Sequence, residues 1–128
     1  MAVVQIGQGV LGRIQFRDGN APEYLRPYLV VFVSVTRVGL LNVSSVLGKE
    51  HKLLFSTNKH LMKYDPPFQK DSFVKLDSLV YVDLTVAATL RVLHNGDSLD
   101  QGELKSIFVE LAKNSREPVF AALASGMK

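Results

Sequence analysis

The 128-residue chain predicts an α+β fold, mainly β: a small antiparallel β-barrel capped by a C-terminal helix. Three observations carry that expectation. Short segments with period-2 alternation recur as far as residue 93. No helical periodicity precedes residue 85, so the helices that a doubly wound sheet needs between its strands are missing. One amphipathic helix then follows residue 98. The length is that of a single domain, 1–128, large enough to bury a real core.

Residues 3–6 and 10–16 read as two short strands. In the second, Val10, Gly12, Ile14 and Phe16 alternate with Leu11, Arg13, Gln15 and Arg17. Asp18-Gly19-Asn20 and Pro22 break the chain. Residues 28–35 are apolar and β-branched on both faces, as a central strand requires. Residues 38–43 continue as its neighbour through a turn at Thr36-Arg37, and Ser44 and Ser45 end that run. Residues 47–71 are polar and irregular, with 53–55 as a short strand and Asp65-Pro66-Pro67 as a loop. Residues 72–77 and 79–84 alternate as two more strands, 90–93 as another, and Asn95-Gly96 is a turn. Ser98 with Gln101 forms a capping box. Leu104, Ile107, Phe108 and Leu111 form the buried stripe of the helix, with Glu103 and Glu110 outside. The helix is expected to stop near Asn114, before Pro118.

Composition narrows the class. Hydrophobic residues are 47% and charged residues 21%, the balance of a globular chain. No apolar run is long enough to span a bilayer, and residues 2–12 lack the features of a signal peptide. There is no cysteine, so disulfides and thiolate metal sites are excluded and a cytoplasmic location is expected. The formal net charge is +3, but residues 1–63 hold eight Lys and Arg against three acids, and residues 64–128 hold seven against nine. A basic half points to an anionic partner. Its densest stretch is Lys49, His51, Lys52, Lys59, His60 and Lys63, opposed only by Glu50.

Several motifs fail on context. Gly7-Gln8-Gly9-Val10-Leu11-Gly12 matches the dinucleotide fingerprint, but the glycines lead into strand residues rather than a helix. A tight turn and close strand crossings account for them better. His51, His60 and His94 lack metal-ligand spacing, so neither a metal nor any other cofactor is expected. No nucleophile elbow and no Walker loop occurs.

One ordered set of segments is more informative. Gly12-Arg13-Ile14 is followed by Glu23-Tyr24-Leu25-Arg26-Pro27-Tyr28-Leu29-Val30-Val31, where Arg-Pro leads straight into a buried strand. Leu41-Asn42-Val43-Ser44-Ser45 ends the next strand in hydroxyl residues. Ser72-Phe73-Val74-Lys75-Leu76-Asp77-Ser78-Leu79-Val80-Tyr81-Val82-Asp83 and the helix from Leu99 to Leu111 complete the order. Together they resemble the PemK/MazF family of toxin endoribonucleases over about residues 9–113, leaving 114–128 as a tail. Two departures stand out: Val80 occupies a position where that family often has arginine, and residues 48–71 are longer and more basic than usual.

The resemblance implies an SH3-like barrel of the toxin type, a homodimer, a single-stranded RNA substrate cleaved without metal, and a protein antitoxin. The chemistry needs a base for the 2′-hydroxyl, an acid for the leaving oxygen and a cation at the phosphorane. Arg26 suits the last role, because its planar fork matches two phosphate oxygens. Ser44 is a candidate donor to the scissile phosphate, Glu23 a candidate base, and Asp83 a further candidate catalytic acid or base. His51 and His60 are weaker candidates for proton transfer. Lys49, Lys52 and Lys59 are expected to touch phosphates and an aromatic such as Tyr24 or Phe55 to stack on a base, with the core the favoured place for Phe55. The rival readings are a non-catalytic RNA- or protein-binding barrel, a toxin nuclease inhibited by an RNA antitoxin, and a barrel-cored structural protein of a mobile element.

Overall fold

The computed structural model describes residues 4–14 and 25–114. These form one seven-stranded antiparallel sheet and a C-terminal helix, an α+β arrangement. The strands are β1 Gly9–Gly12, β2 Arg26–Val33, β3 Arg37–Ser45, β4 Asn58–His60, β5 Ser72–Lys75, β6 Val80–Asp83 and β7 Arg91–Val92. A single helical turn, α1 Leu84–Ala87, follows β6, and α2 spans Gln101–Asn114. The order β4-β5-β3-β2-β1-β7, with β6 also on β3, leaves the ladders of the described residues open rather than closed into a ring.

Strand β3 organises the sheet because its two halves have different partners. Arg37–Leu40 pair with β6, from Arg37↔Asp83 to Leu40↔Val80. Val43–Ser45 pair with β5, from Val43↔Val74 to Ser45↔Ser72. At the split, the Asn42 backbone N–H donates to Ser78 Oγ at 2.8 Å, and Ser78 Oγ donates to the Lys75 carbonyl at 2.6 Å. Ser78 thus closes the turn between β5 and β6 and satisfies the backbone donor stranded between them. The two alternating segments at 72–84 are therefore strands, as their pattern predicts, but each pairs with β3 and not with the other.

The core lies on both faces of the sheet. On one, Leu29, Val31, Leu41, Val43 and Val74 meet Leu104 and Ile107 of α2. On the other, Val10, Tyr28, Val30, Val38, Leu40 and Val82 meet Ala87 and Leu90. Each fully buried aliphatic side chain contributes about 1.5–3 kcal/mol. Strand β2 is central, as expected, and its residues 28–31 are buried. The expected run to residue 35 is two residues too long. Ser34 turns the chain instead, accepting from the Arg37 and Thr36 N–H groups, and Val35 at the tip is 89% exposed.

Other expectations need correction. Residues 4–6 are not a strand: Gly7 adopts φ +95° and its N–H donates to the Val30 carbonyl, turning the chain before β1. Strand β1 ends at Gly12 rather than at Phe16, which lies outside the described residues. Residues 53–55 are not a strand either. Glu50–Leu54 form a 3-10 turn with Leu54 86% exposed, since no element of the described residues covers it. The cap of α2 is Asp100, whose Oδ2 accepts from the Glu103 N–H at 3.1 Å, while Ser98 bridges to Gln8 in a short β contact. Glu103, expected outside, is buried and accepts from the backbone N–H groups of Met62 and Lys63.

The three glycines of 7–12 serve close approach, as their context predicts. A Cβ at Gly9 would sit 2.7 Å from Pro67 Cγ, and one at Gly12 would sit 2.4 Å from Leu90 Cδ2. Pro67 is rigid, so Gly9→Ala is expected to destabilise the fold by about 1–3 kcal/mol, the cost of overpacking. Urea denaturation checks this through a lower midpoint at unchanged slope.

Candidate nucleic-acid interface

The period-2 geometry of the sheet places polar side chains in a row at one end. Tyr28 is registered against Asn42, so Arg26 and Ser44 lie two residues further along their strands at the same end of the β2/β3 pair. On β5, Phe73 is registered against Ser44, and Lys75 lies two residues on, on the same face. Asn58 of β4 faces Lys75. After Ser45 the chain turns through Gly48, φ +78°, into the 3-10 turn that carries Lys49 at its start and Lys52 within it. The Asn58 side chain donates to the Lys52 carbonyl at 2.9 Å, which holds this turn over β4.

The result is a cluster of four cations. Burial, then Lys52, Lys49 and Arg26, hold the Lys75 ammonium below the usual lysine range, with Asp77 opposing them weakly. Lys49 Nζ donates to the buried Ser44 Oγ at 3.1 Å. Arg26 also lies near the Tyr28 hydroxyl: burial raises that pKa, and the guanidinium partly offsets it. The Tyr28 hydroxyl is buried, with the Ile14 backbone and the Asn42 side chain close enough to lower its pKa. Like charges held this close raise the local positive potential, which favours an anion there.

The sequence-predicted residues divide into three groups. Arg26, Ser44, Lys49 and Lys52 come together. Asp83 does not join them: it is registered against Arg37, seven residues from Ser44 along β3, roughly 23 Å of extended strand. There its carboxylate caps α1, accepting from the Thr85 hydroxyl at 2.5 Å and the Val86 N–H at 3.0 Å, and these bonds lower its pKa. Lys59 is registered against Val74, which belongs to the face covered by α2, so it sits on the opposite face from Lys75. Glu23 and Tyr24 lie outside the described residues.

Of the weaker candidates, His51 is exposed in the 3-10 turn, and His60 Nε2 pairs with Asp71 Oδ1 at 2.6 Å. Phe55, expected in the core, is 54% exposed three residues after Lys52. Lys75 and Asn42 were not selected from the sequence. The available signal was period: Lys75 alternates with Phe73, which ties it to the face of Ser44 once the pairing of β5 with β3 is known.

Among the described residues no group of three or more His, Asp or Glu could hold a metal ion. Among them, too, no helix is long and apolar enough to cross a membrane. No family model matches the chain, and no curated protein matches it.

Proposed function

We propose that this chain is the toxin of a toxin–antitoxin system, a PemK/MazF-like endoribonuclease that cuts single-stranded RNA without a metal ion. The observation that carries this reading is the gathering of Arg26, Lys49, Lys52 and Lys75 beside Ser44 at one end of the sheet. The split pairing of β3 supports reading the sheet as an SH3-like barrel.

In this mechanism the 2′-oxygen attacks the adjacent phosphorus and the bond from phosphorus to the 5′-oxygen breaks. The products are a 2′,3′-cyclic phosphate and a 5′-hydroxyl. Arg26 spans two non-bridging oxygens as charge builds on them. Ser44, oriented by Lys49, donates to the same phosphate. Lys75 gives a proton to the leaving 5′-oxygen, and its lowered pKa eases that transfer. Glu23, three residues before Arg26, takes the proton of the 2′-hydroxyl. A homodimer and an acidic antitoxin segment that folds onto the cationic end complete the reading. Asp83, committed to capping α1 at the other end of β3, favours the rival reading of a barrel that binds RNA without cutting it.

Induced expression separates them. Wild-type protein is expected to arrest growth and degrade RNA, and Arg26→Ala to do neither. Equal growth and intact RNA in both cultures overturn the nuclease reading.

Lys75 also links function to stability. Its charged form is disfavoured in the fold, so between its lowered pKa and the ordinary 10.5 the unfolded chain binds more protons. Folding stability therefore rises with pH across that window, and the penalty is fully present below it. Lys75→Met is expected to raise Tm at pH 7 and flatten this alkaline rise. It is also expected to reduce the slope of log K for RNA against log salt by about 0.7, one phosphate contact on a single strand. Thermal melts and fluorescence anisotropy measure the two effects.

A further inference from the structure

The turn between β3 and β4 carries apolar side chains that the fold leaves in water. Residues 47–51 and 54–56 are all exposed, and no residue of the 3-10 turn Glu50–Leu54 is buried. Leu47 is 83% exposed, Leu54 86% and Phe55 54%. A Cβ added at Gly48 would meet nothing within 4 Å, so the turn stands clear of the sheet there. Exposed apolar side chains need no explanation when scattered singly, but a group of them in one short turn marks an interaction site.

The turn is nevertheless held in shape. At its base Val46 is buried, and its N–H donates to the Asp71 carbonyl at 2.9 Å. The Asn58 N–H donates to the Phe55 carbonyl at 3.0 Å, and the Asn58 side chain donates to the Lys52 carbonyl at 2.9 Å. The apolar side chains are thus presented on a hydrogen-bonded frame, and little backbone order has to be gained when they are covered. Leu47 precedes Lys49, and Leu54 and Phe55 follow Lys52, so apolar groups bracket the lysines. Lys75 adds an ammonium close to Lys49 and Lys52. Glu50 is the one acid between Leu47 and Phe55, and its carboxylate accepts from the Gly48 N–H at 3.2 Å.

Chemistry chooses the occupant. The centre of a protein–protein interface is depleted in lysine and enriched in Tyr, Trp and Arg. Lysine beside leucine and phenylalanine is instead the pattern of a bilayer surface, where ammonium groups stay with anionic headgroups and apolar groups enter the acyl boundary. We propose that the turn at 47–55 docks this protein on an anionic phospholipid surface. Leu47, Leu54 and Phe55 insert at the headgroup boundary, and Lys49, Lys52 and Lys75 lie against lipid phosphates. This is surface contact, since no helix among the described residues is long and apolar enough to cross a membrane. It uses lysines of the cationic site but does not rest on RNA cleavage.

The chain has no tryptophan, so Phe55→Trp is a single fluorescent reporter. With phosphatidylglycerol vesicles its emission is expected to shift to the blue and to be quenched by lipids brominated on the acyl chain. With phosphatidylcholine vesicles neither change is expected. Sedimentation of the wild-type chain with phosphatidylglycerol vesicles gives the partition coefficient. Leu47→Ser and Leu54→Ser are each expected to lower it about tenfold, the loss of one inserted apolar side chain. Lys52→Ala is expected to lower it about fivefold, the loss of one charge at the surface. Both leucines are exposed, so Tm is expected to stay at the wild-type value. Unshifted emission on phosphatidylglycerol, equal binding to phosphatidylcholine, or sedimentation that salt abolishes and Leu54→Ser leaves unchanged overturns the proposal. Each of these results leaves the RNA reading standing, because RNA binding is measured separately by anisotropy.

Discussion

Arg26→Ala is expected to lower the rate of RNA cleavage by about 10²–10³-fold, the loss seen when one preorganised donor to a developing oxyanion is removed. Arg26 enters β2 at its first residue, and Pro27 fixes the next φ, so the guanidinium is held at the sheet rim rather than on a loose loop. Its neighbours Lys49, Lys52 and Lys75 remain in the variant, so RNA still binds. The expected signature is a fall in kcat with only a small change in KM, the mark of an interaction made in the transition state. Arg26→Lys keeps the charge and loses the fork, and is expected to recover only part of the rate. Single-turnover cleavage of a labelled RNA measures all three proteins. A variant with wild-type kcat and raised KM would reduce Arg26 to a binding residue.

Glu103→Ala is expected to destabilise the fold by about 3 kcal/mol. Glu103 is 8% exposed, and its carboxylate accepts from the backbone N–H groups of both Met62 and Lys63, the second at 2.7 Å. Removing it takes the charged acceptor from two part-buried bonds, each worth about 1.5–3 kcal/mol. A loss of that size is a large fraction of the roughly 5–15 kcal/mol that holds a domain folded. Glu103→Gln keeps an accepting oxygen and is expected to lose about half as much. Urea midpoints at constant slope measure both. The bonds also tie α2 to the segment that continues to Pro67 and Phe68.

Period and punctuation made much of this fold legible. Alternation from 72 to 84 located β5 and β6, the apolar run from 28 located β2, and the i, i+3, i+4, i+7 stripe located α2. Pairing was not legible, because β3 serves two strands on one edge and the device that permits it is a single side chain, Ser78, filling the gap at Asn42. Residues 53–55 misled because Leu-Leu-Phe resembles a strand wherever it occurs, and only tertiary cover decides whether it is one. Glu103 misled because helical phase assigns a face to the residue but cannot know that two loop N–H groups wait on it.

The site was half legible for the same reason. Arg26, Ser44, Lys49 and Lys52 were reachable because they flank one strand end or follow it closely in sequence. Lys75 arrives from β5 and Phe55 is exposed only because the preceding turn is uncovered, facts of pairing and packing. Asp83 lies on a strand of the sheet, as its alternation indicates, but that strand pairs with the wrong half of β3 for it to reach Ser44.

The central claim is that these cations at the rim act on an RNA phosphodiester, and the nature of the severed ends tests it most directly. Purified protein is incubated with single-stranded RNA in excess EDTA, and the products are analysed by mass. The account predicts fragments ending in a 2′,3′-cyclic phosphate and beginning with a 5′-hydroxyl, formed by wild type and not by Arg26→Ala. Intact RNA at stoichiometric protein, or cleavage by both proteins alike, would contradict it.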